Sequence, residues 1–418
     1  MSGSDRLALL WGIAFFGGSL GQGLSRLSGL PAVVWLLGIG LLIGQAGLQW
    51  IRPEDLGQGL EPVVGLLVSL VLFDGGLNLR LAGRDLQRSV VQLVLIRAVL
   101  GLAGGTAVAH LAAGLSWPLA LVFGAIALAT GPTVVNSLVR QMRLPPFLRQ
   151  VLEAEGLLLE PFSAVLALLL LQSALGDVTS WPALTKPLVA QFGGGVAAGA
   201  LAVLLLAELL RRLPAAEDAS ALRLQLTLGA LFLLFSGCEA LLPQSGLPAA
   251  VSAGVVVGWR LEAEAGPLEA LIRQLAQLAV TVLFPLLAAD LSWDELSPLG
   301  VGGLVAVGGL MLLRLGVVQV ASVGLPLDGR EKLLLGWVAP RGIVSAAVAS
   351  LFALQLEEAG IEGGGALKGL VFLTILVTVG LQGATAPWLA RRLGLTVPVE
   401  EMVRESVGGT AEEVVGGG

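Results

Sequence analysis

The sequence predicts an all-α polytopic membrane protein, and three observations support this fold class. Of the 418 residues, 56% are hydrophobic and only 13% are charged, whereas soluble domains are roughly 25% charged. The mean hydropathy is +0.89. The chain also contains 58 glycines, small residues that let membrane helices pack closely. The formal net charge of −6 argues against nucleic acid as a partner. Membrane lipid is the expected surrounding, and no cofactor is expected.

About thirteen hydrophobic segments approach the ~20 residues that span a bilayer. Their approximate ranges are 7–24, 29–50, 61–79, 89–112, 118–139, 150–173, 187–210, 224–242, 247–260, 271–289, 299–323, 333–354 and 368–390. If the segments alternate direction, 17 of the 24 basic residues collect on one side and four on the other. The positive-inside rule then predicts that the N-terminus is outside and the C-terminus is cytoplasmic. The expected location is a prokaryotic inner (plasma) membrane.

Three stretches of the chain return later in the same order. "SGLPAVVWLLGIGLLIG" is echoed by "SGLPAAVSAGVVVGW" 217 residues on, while "VLFDGGLNL" and "TGPTVV" are echoed by "VLFPLLAADL" and "RGIVSAA" 211 residues on. Each offset corresponds to seven segments, an odd number, so the second copy is inserted upside down. We therefore expect two inverted six-helix repeats, an arrangement typical of secondary transporters.

Two of the segments contain residues that interrupt a helix. Gly131 and Pro132 lie in the middle of the fifth segment, and Pro340 and Gly342 lie in the middle of the twelfth. Proline removes a backbone donor and glycine permits non-helical dihedrals. Both helices should break there and cross, because freed backbone groups at membrane depth are tolerated only where they line protein or a water-filled cavity.

The sixth segment carries three acids, which differ in their expected depth. A charge at the centre of a span costs about 2.5–3.5 kcal/mol by insertion scales, so it normally has a partner. Glu153 is expected at the cytoplasmic interface. Glu155 and Arg341 are predicted to form a buried structural ion pair between the repeats. Arg97 and Arg314 lie nearer the ends of their segments and are expected to extend to the interface.

Glu160 is left without a basic partner in this scheme, and it directly precedes Pro161. Burial of an unpaired carboxyl group favours its protonated form unless a cation replaces the proton. Thr130, Ser163, Asn136 and the freed carbonyls of the break are the further oxygen ligands predicted for an alkali cation. The predicted metal site is thus Glu160 with Thr130, where a proton and a cation compete.

These motifs resemble, over essentially the whole chain, the monovalent cation:proton antiporters (sodium/proton exchangers). The matching stretches are "LFDGGL" at 72–77, "TGPTVV" at 130–135, "EGLLLEP" at 155–161 and "PRG" at 340–342. The resemblance implies a homodimer and a six-helix core that moves as an elevator against a dimerisation scaffold. It also implies that Glu160 takes the place of the ion-binding aspartate, and that Glu155 and Arg341 match a buried bridge.

The resemblance and the repeats together divide the chain into domains. The predicted units are scaffold helices in 1–80 and 224–289, transport-core helices in 89–173 and 299–390, a linker helix in 187–210 and a flexible cytoplasmic tail in 391–418.

The chain also departs from the family pattern. Leu159 stands where members usually have Asn or Asp, and Gly131 replaces an aspartate. With one titratable acid in the site, electroneutral exchange of Na⁺ for H⁺ is favoured, while Li⁺ and K⁺ stay open. A cation channel and a K⁺-selective antiporter are the alternatives, but channels usually need rings of filter groups. An enzyme is not expected, since His110, the single histidine, lies far from the breaks in sequence.

Overall fold

The computed structural model describes residues 3–51, 60–79, 83–176, 181–212, 219–260 and 265–397. All regular secondary structure in these ranges is helical, which confirms the predicted all-α class. Most of the predicted tail, residues 398–418, lies outside the described residues.

The helices of the described chain follow one another with short connections. They are α1 (Gly3–Ser28), α2 (Ala32–Ile43), α3 (Leu60–Leu77), α4 (Arg84–Ala113), α5 (Trp117–Ile126), α6 (Pro132–Met142), α7 (Pro146–Ala174), α8 (Trp181–Leu188), α9 (Gly194–Arg212), α10 (Ala219–Leu241), α11 (Gly246–Arg260), α12 (Ala265–Ala289), α13 (Trp293–Leu296), α14 (Gly300–Ala321), α15 (Gly329–Trp337), α16 (Ile343–Glu358), α17 (Gly364–Val377) and α18 (Gly383–Arg392). Short π or 3-10 turns at Val189–Gly193, Ser297–Leu299 and Thr378–Gln382 join α8 to α9, α13 to α14 and α17 to α18.

Each of the predicted hydrophobic segments falls on one of these helices or on a consecutive pair. Seven helical stretches in the described chain are long and apolar enough to cross a membrane. They are Arg84–Ala113, Pro146–Ala174, Ala183–Arg212, Leu222–Leu241, Glu269–Ala289, Trp293–Ala321 and Gly364–Arg392. Three shorter apolar helices, Ala32–Ile43, Pro62–Leu77 and Trp117–Ile126, accompany them. The number of membrane crossings stays a prediction.

Helix α7 lies at the centre of the molecule. In its apolar stretch 83% of the residues are buried, against 28% in α4. Because α4 is equally apolar but has a much smaller share of buried residues, one side of it fits a lipid-facing position, whereas α7 is enclosed by protein. The acids of α7 are therefore held in the interior.

Helices α3 and α11, one from each predicted repeat, approach each other through glycines. A Cβ atom on Gly254 would lie 2.3 Å from the Phe73 carbonyl oxygen, and one on Gly76 would lie 2.5 Å from that of Val251. Only glycine allows backbones to come this close, which is how small residues join helices in membranes.

The fifth and twelfth predicted segments are each split into two half-helices. Helix α5 ends at Ile126 and α6 begins at Pro132, while α15 ends at Trp337 and α16 begins at Ile343. The two breaks touch, because the Gly131 N–H donates to the Pro340 carbonyl at 2.9 Å. A Cβ on Gly131 would lie 2.4 Å from the Gly342 Cα. The half-helices thus cross backbone to backbone.

Candidate ion-binding site

Glu160 lies beside the crossing of the broken helices. Its side chain is buried in α7, with 2% of the residue exposed. A Cβ on Gly342 would lie 2.8 Å from Glu160 Oε1, and the backbone N–H of Val344, in the first turn of α16, donates to the carboxylate. The ion pairs of the described residues do not include Glu160. An acid thus faces the start of a helix, where the backbone carries partial positive charge.

The other predicted ligands make contacts of their own. Ser163 Oγ donates to the backbone carbonyl of Glu160 at 3.0 Å, and Thr130 Oγ1 accepts from Arg97 Nη2 at 3.2 Å. Asn136 lies on α6, one turn after Pro132. Its Oδ1 is buried without a hydrogen-bond partner in the described chain. The hydrogen bonds of these residues do not join Glu160, Thr130, Ser163 and Asn136 into one ligand shell. Their roles as ligands stay predictions.

The predicted ion pair between Glu155 and Arg341 is wrong. Glu155 Oε1 accepts from Arg97 Nη1 at 2.6 Å, and Glu155 Oε2 accepts from Arg314 Nη2 at 2.9 Å. Arg97 and Arg314 are 3% and 6% exposed, so the prediction that they extend to the interface is also wrong. The long side chains of Arg97 on α4 and Arg314 on α14 point inward to α7. The position of a residue within its hydrophobic segment does not reveal the direction of its side chain.

A sequence signal for these two arginines does exist. They are 217 residues apart, the same offset that separates the two "SGLP" stretches. Each predicted repeat therefore supplies one arginine to the same carboxylate. A search for charged residues at the repeat offset would have identified the pair.

Arg341 and its neighbours occupy carbonyls that the breaks set free. Arg341 Nη1 donates to the Ala129 carbonyl and Arg97 Nη2 to that of Leu128, while Arg314 Nη2 donates to that of Leu335. The carbonyl end of a helix carries partial negative charge, so a guanidinium is a fitting partner. The carbonyls of Leu128 and Ala129 thus each accept from an arginine, and coordination of the cation by freed carbonyls stays a prediction.

A small cavity, the inner cavity, opens between α3, α6 and α7. Its walls include Asn78, Pro132, Asn136, Glu153 and Leu157. The two wall residues that belong to α7, Glu153 and Leu157, precede Glu160 in that helix. They lie toward the end of α7 that is predicted to face the cytoplasm. The Arg149 Nε donates to Glu153 Oε1 at 3.0 Å, and the Arg149 side chain is half-exposed; the interfacial position of Glu153 stays a prediction.

Lys368 is a buried base at the start of α17. Its Nζ lies 2.9 Å from Asp290 Oδ2 and 2.9 Å from Glu295 Oε1. Ser350 Oγ also donates to Asp290 Oδ2 at 2.6 Å. This cluster ties α17 to the segment after α12, to α13 and to α16.

Residues 12–392 match the family described as "Sodium/hydrogen exchanger, transmembrane". The chain belongs to the sodium/hydrogen exchanger family. This membership confirms that the chain is an integral membrane protein of a transporter family rather than an enzyme.

Several sodium/hydrogen exchanger relatives extend over most of the chain. The Na(+)/H(+) antiporter 1 of Methanocaldococcus jannaschii is 25% identical over 91% of this chain and 94% of its own length. A solved structure of the antiporter MjNhaP1 from that organism, at pH 8, superimposes with a TM-score of 0.81 over 94% of this chain and 99% of that one, at 24% identity. The K(+)/H(+) antiporter NhaP2 of Shewanella sp. is 25% identical over 90% of this chain, and the chain spans 64% of that relative's length.

Proposed function

We propose that this chain exchanges a monovalent cation, Na⁺ in the first instance, for protons across the membrane, and that the exchange is electroneutral. The observation that carries the proposal is Glu160. It is a buried carboxylate without a basic partner in the described chain, and it adjoins the crossing of two broken helices. Such a group must hold either a proton or a cation to remain inside the protein. One acid binding either ion gives one-for-one exchange.

The proposal includes movement of the core as an elevator against a scaffold, in a homodimer. The inner cavity supports this view because its wall combines α3, from the proposed scaffold, with α6 and α7, from the proposed core. A cavity at that boundary, on the proposed cytoplasmic side of Glu160, marks a place where the two proposed parts are not closely packed. The Lys368 cluster lies at the opposite side of the molecule and joins the same two parts there, through the segment after α12.

K⁺ is the second candidate cation. Relatives of similar identity carry the names of Na(+)/H(+) and K(+)/H(+) antiporters. Leu159 offers no oxygen beside Glu160, and two of the freed carbonyls bind arginines. A site with few oxygen ligands keeps part of the hydration of its cation, which reduces the preference for a small ion such as Na⁺.

Purified protein in liposomes with an imposed pH gradient tests the proposed exchange. Addition of Na⁺, Li⁺ or K⁺ should dissipate the gradient, and the rate should fall in acidic medium because protons then occupy Glu160. Glu160→Gln cannot release a proton, so it should abolish exchange while the protein remains folded. Glu160→Asp keeps the acid and should retain activity. Robust cation-driven proton movement by a folded Glu160→Gln protein would refute the proposal.

A further inference from the structure

We propose that the inner cavity is a second cation site, in which the Glu153 carboxylate and the Asn136 amide oxygen hold one Na⁺ or K⁺ before it reaches Glu160. The volume of the cavity is about 10 Å³, which admits about one ion, so the water ligands of that ion lie at the mouth of the cavity. This inference rests on the proposed exchange function. It assigns Asn136 to a separate binding site rather than to the ligands of the cation held at Glu160.

Within the described chain, the amide oxygen of Asn136 lacks a partner beside the cavity. This Oδ1 is buried and lacks a hydrogen-bond partner among the described residues, while the side chain borders the cavity. A buried acceptor needs a donor, a water molecule or a cation. Asn136 follows Pro132 by four residues, so both lie on the same face of α6. The unsatisfied oxygen is therefore one turn from the crossing of the breaks.

The carboxylate of Glu153 also borders the cavity. Only its Oε1 takes part in the ion pair with Arg149, whose side chain is 50% exposed. Because that pair is open to solvent, it can exchange for another cation. A carboxylate and an amide oxygen are hard ligands that suit alkali ions, and water must supply the remaining ligands.

The inner cavity lies a short distance from Glu160 along α7. Leu157 borders the cavity and precedes Glu160 by three residues, about 4.5 Å along the helix axis. Pro161 has no N–H to donate to the Leu157 carbonyl, so that carbonyl loses its helical donor. The Leu157 carbonyl oxygen thus lies between the cavity and the Glu160 carboxylate along α7.

The neighbouring charges decide the sign of the expected effects. Arg149 and Arg140 are the basic groups that act on Glu153. Asn78 is committed elsewhere, since its Oδ1 accepts from Arg273 and its Nδ2 donates to the Asp74 carbonyl. Arg149 therefore competes directly with a bound cation for the Glu153 carboxylate, whereas Asn78 only lines the cavity.

Exchange in oriented liposomes tests the site, with Na⁺ or K⁺ varied on the cytoplasmic face only. Asn136→Ala and Glu153→Gln should raise the KM for the cation on that face about fivefold, the scale of one weak polar interaction, and leave the maximal rate nearly unchanged. The KM on the outer face should not move. Arg149→Gln should lower the cytoplasmic KM, because it removes the competing cation.

Two controls match these variants. Glu208→Gln removes the acid of another pair between residues four apart, with Arg212, on an exposed helix surface. Gln141→Ala changes an exposed amide on α6 itself. Both should keep the KM of the original protein.

The inference and the proposed function fail in different ways. If the original protein shows no cation-driven proton movement, the proposed exchange is wrong. If exchange is normal and folded Asn136→Ala and Arg149→Gln keep the original cytoplasmic KM, only the second site is wrong. An equal rise of KM on both faces would also overturn it. If Glu153→Gln does not fold, the cytoplasmic KM of Arg149→Gln still tests the second site.

Discussion

Three buried arginines converge on the middle of the protein, and their partners differ in kind. Arg97 and Arg314 share the Glu155 carboxylate, whereas Arg341 donates to a backbone carbonyl. Loss of a carboxylate leaves like charges facing each other in the interior. Loss of Arg341 leaves a neutral carbonyl without its donor. The two kinds of contact therefore contribute differently to stability.

Glu155→Gln should destabilise the folded protein more than Arg341→Ala. Breaking a buried ion pair costs about 3–5 kcal/mol, while an unsatisfied buried carbonyl costs about 1–3 kcal/mol. Thermal unfolding of the detergent-solubilised variants measures the order. Glu208→Gln, which breaks an exposed pair, should stay within about 1 kcal/mol of the original protein. A larger loss for Arg341→Ala than for Glu155→Gln would contradict the pairing.

At the scale of elements, the crossing of α5–α6 with α15–α16 depends on two glycines that meet. The contact places backbone against backbone, with a hydrogen bond from Gly131 to Pro340. Such a contact has no side chain that could move aside. It also sets the position of Gly342, which adjoins Glu160, so the geometry of the candidate site follows from this crossing.

Gly131→Ala should force the half-helices apart. The added Cβ would lie 2.4 Å from the Gly342 Cα, and overpacking of this kind costs about 1–3 kcal/mol. The exchange rate in liposomes should fall strongly, because the N-terminus of α16 moves away from Glu160. Gly308→Ala on α14 is the control, since a Cβ there meets nothing within 4 Å. Unchanged exchange by Gly131→Ala would show that the crossing does not position the site.

At the scale of the whole molecule, two polar clusters lie apart from the buried charges in the middle of the protein. The inner cavity and the Arg149–Glu153 pair form one of them. The Lys368 cluster is the other, at the start of α17 and the end of α12. This separation agrees with a core that contacts the scaffold differently at each membrane face.

The termini should lie on opposite sides of the membrane, because the proposed number of crossings is odd. A fluorescent reporter that folds only in the cytoplasm should fluoresce at the C-terminus and stay dark at the N-terminus. The uneven distribution of basic residues predicts this orientation. Fluorescence at both ends would require an even number of crossings, and the proposed count of thirteen would then fail.

The sequence by itself determined the membrane class, the positions of the helical segments, the helix-breaking residues and the acid that stands apart, because these depend on composition and on neighbouring residues. Tertiary structure decided the partners. Glu155 has no local feature that distinguishes Arg341 from Arg97 or Arg314, all of them far away in sequence. The repeat offset relates Arg97 to Arg314, but the packing of α4 against α7 and of α14 against α4 decides that both reach Glu155. The same packing gives the freed carbonyls of Leu128 and Ala129 to arginines and places Asn136 on the wall of a cavity. Long side chains reach several ångströms from their Cα atoms, so the depth of a residue in its segment does not fix where its charge lies.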